Sequence, residues 1–132
     1  MTTRTLRILL VEDNRLNQEL VRDLLEAAGH SVHVAGDGAA MHAHLDGGGA
    51  PDIILLDVLL PGADGVQMLG ELRRSTFAAL PVVAVTAQAL PGDLERFTAA
   101  GFDAVVTKPI DTRNFVAAVE KQAGRRRAAA ER

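Results

Sequence analysis

Apolar residues along this chain fall into short dense runs, separated by stretches in which they recur every three or four positions. Leu6 to Val11 is apolar but for Arg7, and Ile53-Ile54-Leu55-Leu56 and Val82-Val83-Ala84-Val85 are unbroken. Runs that do not alternate read as strands buried on both faces. Val32 and Val34 alternate with His33, which suits an edge strand with one wetter face, and Ala104-Val105-Val106-Thr107 gives a short fifth strand. Between the runs, Leu16, Leu20, Leu24 and Ala28 recur at helical spacing after Asn14, a good N-cap, and Gly29 fits the position just past the helix end. Ala39 to Leu45 predicts a short helix stopped by Gly47-Gly48-Gly49. Asp64 can cap a helix carrying Val66, Leu69 and Leu72, with Arg73 and Arg74 near its C-terminus, where cations suit the helix dipole. Pro91-Gly92-Asp93 precedes a helix through Leu94 and Phe97 that Gly101 closes, and Asp111 or Thr112 caps a last helix with Phe115, Val116 and Val119.

Five repeats of strand then helix imply an α/β fold: a parallel sheet, doubly wound with helices on both faces and right-handed crossovers. The pattern shows no second domain and no linker. Residues 1–124 read as one domain, and 125–132, with Arg125-Arg126-Arg127 and an Ala-rich end, as a solvated basic tail.

The polar residues that directly follow the apolar runs are Glu12 and Asp13, then Asp57, Thr86 and Lys108. In a parallel sheet all such ends lie on one edge, where open α/β sheets bind ligands. Taken singly, each has a plain structural reading. Asp57 starts a turn before Pro61-Gly62; Glu12 and Asp13 suit a helix start; Thr86 is a β-branched strand residue; Lys108 is a solvated charge. Those readings give no reason for all of them to follow strands. Three converging carboxylates repel one another unless a cation joins them, and all-oxygen ligands favour a hard cation such as Mg²⁺ where phosphate also binds. A cation and Lys108 together would neutralise an incoming phosphoryl group, with Asp57 as the nucleophile.

Composition narrows the field. At 132 residues, 48% hydrophobic and 23% charged, the chain has the make-up of an ordinary globular domain. A net charge of -3 argues against general affinity for nucleic acid or membrane. The absence of cysteine removes disulfides and thiolate chemistry and fits a cytoplasmic setting. The N-terminus leads into only a short apolar run, unlike a signal peptide, and no apolar run approaches membrane length. The four histidines, at 30, 33, 42 and 44, read as surface residues; His42 and His44, two apart, do not share a helix face.

Val11-Glu12-Asp13-Asn14, Asp57 followed by Leu60-Pro61-Gly62 and Asp64-Gly65, Val85-Thr86-Ala87, and Lys108-Pro109 together resemble the receiver domain of two-component response regulators, from about Leu6 to about Lys121. DivK-type single-domain regulators and the C-terminal receivers of hybrid histidine kinases are similar. The resemblance implies a flavodoxin-like (βα)5 sheet of order 2-1-3-4-5. It also implies that Asp57 accepts a phosphoryl group from a histidine kinase or histidine phosphotransfer protein. Asp13, Asp57 and the Leu59 carbonyl would bind Mg²⁺, with Glu12 acting through metal-bound water. Thr86 and the backbone N–H groups of Val58 and Ala87 would meet phosphoryl oxygens, and Lys108 their charge. The Lys108-Pro109 bond resembles the family's cis peptide. Output would pass to a downstream protein through the face of the fourth helix, fifth strand and fifth helix, in a monomer or weak dimer. No activity beyond phosphoryl self-transfer and slow autodephosphorylation is implied. Met1 and the short tail favour a free-standing protein, with a receiver excised from a hybrid kinase as the alternative.

Two other classes share parts of the pattern. A phosphatase of the haloacid-dehalogenase type needs a second Asp two residues after its nucleophile, and that position is Leu59. An FMN-binding flavodoxin-like protein needs a hydroxyl-rich phosphate loop and flavin-stacking aromatics; the chain has no Trp or Tyr and four Phe.

The chain departs from the receiver pattern at Val105, three residues before Lys108, where the family usually carries an aromatic that turns inward as the threonine moves. The methionines usual around Pro61 are replaced by Leu60 and Ala63. Leu59, two beyond Asp57, and Gln88, two beyond Thr86, are placed to tune the lifetime of an acyl phosphate: Leu59 by hindering the attacking water, Gln88 by orienting it. Leu59→Asn should therefore shorten the half-life of the phosphorylated protein in a decay assay; an unchanged half-life would remove Leu59 from this role.

Overall fold

The structure, a computed structural model, describes residues 5–58, 65–75, 79–87, 91–108 and 110–130, with 125–130 described as backbone. The expectations for Leu59, Leu60, Pro61, Gly62, Ala63, Asp64, Gln88 and Pro109 lie outside the described residues. Strand and helix alternate throughout: β1 (Arg7–Val11), α1 (Arg15–Ala27), β2 (Ser31–Ala35), α2 (Gly38–Asp46), β3 (Ile53–Asp57), α3 (Gly65–Arg73), β4 (Val82–Thr86), α4 (Asp93–Ala100), β5 (Ala104–Thr107) and α5 (Phe115–Ala130). The five strands form one parallel sheet in the order β2-β1-β3-β4-β5. The central strands β3 and β4 are buried along their whole length, as their unbroken apolar runs require, and the edge strands β2 and β5 are half-buried.

Because successive strand residues point to opposite faces, the core divides in two. Ile8, Leu10, Ile53, Leu55, Val83 and Val85 face α1 and α5, where Val21, Leu25, Phe115 and Val119 cover them. Leu9, Val11, Ile54, Leu56, Val82 and Ala84 face α2, α3 and α4, where Met41, Leu45, Met68, Leu69, Leu72 and Phe97 cover them.

The helix ends follow local chemistry. Asn14 caps α1 by accepting from the Asn17 N–H at 3.0 Å, and Asp37 caps α2 by accepting from the Ala40 N–H at 2.8 Å. Gly29, with φ of 95°, ends α1 in a Schellman motif: its N–H donates to Glu26 and the His30 N–H to Leu25. Gly65 is required for a different reason. A Cβ there would lie 2.6 Å from the Val58 Cα, so only glycine lets the start of α3 approach the end of β3.

Two expectations are corrected. The apolar stripe of α1 is not the one that Leu16 and Leu20 suggest. Leu16 is 76% exposed and Leu20 also faces solvent, while Val21 and Leu25 are buried and Leu24 partly so. One residue is a turn of about 100° on a helix, so Leu20 and Val21 cannot share a face. His30 is not a surface histidine but is buried. The Schellman motif turns it inward, where Nδ1 accepts from the Leu6 N–H at 3.0 Å and Nε2 lies 2.7 Å from a Glu120 carboxylate oxygen. An Nδ1 that accepts leaves the proton on Nε2, so the ring donates to Glu120 and ties β1 to α5. His44, half-buried, stacks on His33 with ring centroids 3.8 Å apart, joining α2 to β2.

Gly65→Ala should destabilise the fold by about 1–3 kcal/mol, the usual cost of overpacking against unyielding backbone, read by chemical denaturation; an unchanged midpoint would contradict the close approach. The histidine stack sets a pH dependence. Burial first, then the neighbouring His33 and Arg7 charges, hold the His44 imidazole below its ordinary value of 6.5. The unfolded chain then binds this proton more readily than the folded one, so stability falls as pH drops below about 6.5. Melting curves of His44→Gln should lose less stability over that range than wild type; parallel curves would mean that the stack carries no such linkage.

Candidate functional site

The topology brings the ends of β1, β3, β4 and β5 to one edge of the sheet, and the polar residues that follow each run meet there. Lys108, just past β5, places its ammonium 2.7 Å from Glu12 Oε1 and 3.1 Å from Asp57 Oδ2. Alternation explains the meeting. Glu12 continues the parity of Ile8 and Leu10, Asp57 that of Ile53 and Leu55, and Lys108 that of Ala104 and Val106, so all three belong to the face covered by α1 and α5. Thr86 continues the parity of Val82 and Ala84 and belongs to the opposite face with Val105. Thr86 is buried, and its carbonyl accepts from the Lys108 N–H at 2.8 Å.

Glu12, Asp13 and Asp57 offer carboxylate oxygens that all lie within 4.8 Å of one another, and among the described residues this is the one cluster of its kind. Glu12 and Asp57 are buried and Asp13 is exposed. At that separation two unit charges repel by on the order of 3 kcal/mol where the effective dielectric is ~20, and less for the solvated Asp13. Burial pushes the Glu12 carboxyl above its ordinary value. The Lys108 ammonium and the Asn14 N–H, 3.2 Å from Glu12 Oε2, draw it back, and neighbouring Asp57 raises it again. The net direction is upward. Burial alone would lower Lys108, but its bonds to Glu12 and Asp57 and their charges outweigh that and hold it above its ordinary value. The ammonium is therefore fixed as a cation while the carboxylates remain in excess. With all groups ionised, three carboxylates at this edge outnumber the one ammonium of Lys108. A hard divalent cation fits that excess and that all-oxygen donor set.

The β1–α1 turn holds the acidic pair in place. The Glu12 N–H donates to the Ala35 carbonyl at 3.0 Å, and the Glu12 carbonyl accepts from Gln18 Nε2 at 2.6 Å. The sequence pattern did not single out Gln18. Its only signal there is a position one turn into the helix that follows the acidic pair.

The remaining site residues fall as follows. Ala87 is exposed just beyond β4. The Val58 N–H donates to the Val85 carbonyl at 3.1 Å, so the group that the resemblance offers to a phosphoryl oxygen is engaged in the β3–β4 ladder. Val105 pairs with Ala84 in register and packs, half-buried, against the cluster that holds Phe97 and Phe102. Leu59 and Gln88 are outside the described residues. The histidines take no part in this edge. His30 is bound to Leu6 and Glu120, His33 and His44 stack, and His42 lies 3.6 Å from Glu71.

The chain is similar to known proteins in sequence and in fold. The curated relatives include the polar-differentiation response regulator DivK of Brucella ovis, 36% identical over 126 residues, which span 91% of this chain and 98% of that protein. Among solved structures, the N-terminal domain of a response regulator/sensory box/GGDEF 3-domain protein from Carboxydothermus hydrogenoformans is 30% identical with a TM-score of 0.81, covering 94% of this chain and 98% of that one. A Francisella response regulator receiver domain superposes with a TM-score of 0.83 at 22% identity, over 92% of this chain and 98% of that one, a likeness of fold. Residues 8–120, which carry every strand end described above, match the model of the response regulator receiver domain, and the chain belongs to that family.

Proposed function

We propose that this protein is a phosphorylation switch whose acceptor is Asp57. The observation that carries the reading is the position of Asp57 at the end of a fully buried strand, with the Lys108 ammonium 3.1 Å from its oxygen and two further carboxylates beside it. A carboxylate so placed is a nucleophile with its charge stabilisation already assembled.

The donor is a phosphohistidine of a histidine kinase or phosphotransfer protein. An Asp57 carboxylate oxygen forms a bond to phosphorus, the P–N bond to the donor imidazole breaks, and that nitrogen keeps the electron pair and takes up a proton. Lys108 stays with the phosphoryl oxygens and offsets their charge. The Thr86 hydroxyl and the Ala87 N–H donate to them. The Val58 N–H does so as well if it shares or exchanges its bond to Val85. Asp13, Asp57 and the Leu59 carbonyl would hold Mg²⁺, with Glu12 acting through water; the ion supplies neutralisation of the charge that the carboxylates and the phosphoryl group place together. The protein is no enzyme in the ordinary sense, acting only by phosphoryl self-transfer and slow autodephosphorylation.

Phosphorylation replaces the single carboxylate charge of Asp57 with a phosphoryl group of about −1.5 to −2 charges that reaches further out from the strand end, a net gain of about −0.5 to −1 at this edge. In this reading the change is relayed to the face of α4, β5 and α5, whose packing at Val105 replaces the usual aromatic, and is sensed by a protein target rather than by nucleic acid or membrane. Residues 1–124 act as one receiver unit with 125–132 as a basic tail, as a monomer or weak dimer in the cytoplasm. The family match at 8–120 and the lack, among the described residues, of any helix long and apolar enough to cross a membrane support this.

Incubation with Mg²⁺ and acetyl phosphate should add the mass of one phosphoryl group to wild type and none to Asp57→Ala. Equal labelling of both, or of neither, would reject Asp57 as the acceptor.

A further inference from the structure

The geometry points to Gln18 as a positioning residue of the divalent-cation site, acting through the Glu12 carbonyl to hold the Asp13 carboxylate in place. This rests on the reading of Glu12, Asp13 and Asp57 as that site.

Asp13 faces a conflict. Its carboxylate lies within 4.8 Å of two others, yet Asp13 is exposed, and a turn free to relax would swing it into water. Something must hold the turn closed before a cation arrives, and the hydrogen bonds around Glu12 do so. Its N–H is fixed by Ala35 of β2 at 3.0 Å. Its carboxylate accepts from the Asn14 N–H at 3.2 Å. Its carbonyl accepts from Gln18 Nε2 at 2.6 Å, across six residues. That carbonyl belongs to the peptide joining Glu12 to Asp13. The peptide unit is planar, so fixing its oxygen fixes the plane from which the Asp13 Cα and side chain depart.

Gln18 is well placed to serve as the anchor. It is half-buried on α1, and its own N–H donates to the Asn14 carbonyl at 2.9 Å, so it rides on the helix that Asn14 caps. A glutamine suits the position because it offers a donor without charge. Glutamate would present an acceptor to the carbonyl and add a fourth negative charge. Lysine would compete with the cation for the carboxylates.

The test is a Mg²⁺ titration followed by backbone amide NMR on wild type, Gln18→Met and Gln18→Glu, with melting temperatures in divalent-free buffer. Methionine keeps the length and removes the donor. Glutamate removes the donor but adds a charge that by itself attracts Mg²⁺. Loss of an outer partner of a metal ligand costs about tenfold or more in affinity. Both variants should therefore bind Mg²⁺ about tenfold more weakly, with divalent-free melting temperatures that match wild type. Wild-type affinity in Gln18→Met would overturn the inference. So would tighter binding by Gln18→Glu, which would show that charge and not the hydrogen bond matters. An affinity loss matched by an equal loss of divalent-free stability would overturn it as well, reducing Gln18 to a structural role. A wild-type protein that takes up no Mg²⁺ would overturn both this inference and the reading on which it rests.

Discussion

Among the described residues, the ammonium of Lys108 is the cation that holds the polar edge of this sheet together, and strand spacing dictates how it does so. Parallel strands lie about 4.8 Å apart, so β5 stands about 10 Å from β3 and about 14 Å from β1. An extended lysine meets a short acid across the nearer gap and needs a longer one across the farther. Asp57 on β3 and Glu12 beyond β1 are those two acids, in that order. The strand between, β4, is followed on the same parity by Ala87, a small residue at the position over which the lysine stem must pass. Side-chain length, strand order and parity thus form one constraint: exchange the strands, or shift one register by a residue, and the ammonium loses a partner.

This edge is costly by design. Ion pairs taken out of water repay their desolvation only when geometry and further hydrogen bonds are good. Here Glu12 has the Asn14 N–H as well as Lys108, yet burial and Asp57 still leave its carboxyl raised. The excess of carboxylates over the Lys108 ammonium favours a hard cation there. It is tolerated because the sheet beneath is packed on both faces by continuous aliphatic clusters, and because β3 and β4 are buried throughout. Conventional packing stabilises the fold, and the unbalanced edge is left available for chemistry.

Much of this was legible in the amino-acid pattern, for reasons that also mark where legibility ends. Unbroken aliphatic runs specify buried parallel strands, and the polar residues at or just past the ends of those strands specify the polar edge, so the meeting of Glu12, Asp57 and Lys108 there, with Thr86 ending β4, could be read from spacing. Strand order could not be. Nothing in periodicity distinguishes 2-1-3-4-5 from other right-handed windings, and the order came from resemblance. The α1 stripe was misjudged because leucines at 16, 20 and 24 have the same spacing as the true inward face through Val21 and Leu25, displaced by one residue. Which stripe faces inward depends on how the helix is set on the sheet. His30 was missed for a related reason. Its burial follows from the Schellman turn at Gly29 together with a carboxylate ninety residues away, and neither a distant partner nor a tautomer is written into local sequence. Gln18 and the ladder bond of Val58 are likewise products of tertiary placement.

The parity of the strands carries one more consequence. Glu12, Asp57 and Lys108 belong to the α1–α5 side of the sheet, whereas Thr86 and Val105 belong to the side of α4. On the proposed reading, charge arrives on one side and a surface change is required on the other. Thr86 bridges them by position: it is the last residue of β4, at the polar edge, and its parity is that of Ala84, on the side of Phe97 and Phe102. Val105 lies half-buried against that same cluster. A β-branched side chain there is stiff about χ1 and much smaller than an aromatic ring, so it cannot swing between an inward and an outward position. On that reading the rotation of a single ring is not open to Val105, and the aromatic contact on its side of the sheet is the edge-to-face pair of Phe97 and Phe102, whose ring centroids are 5.9 Å apart. Phe97 is carried by α4, a helix of eight residues with the exposed Leu94 on its first turn.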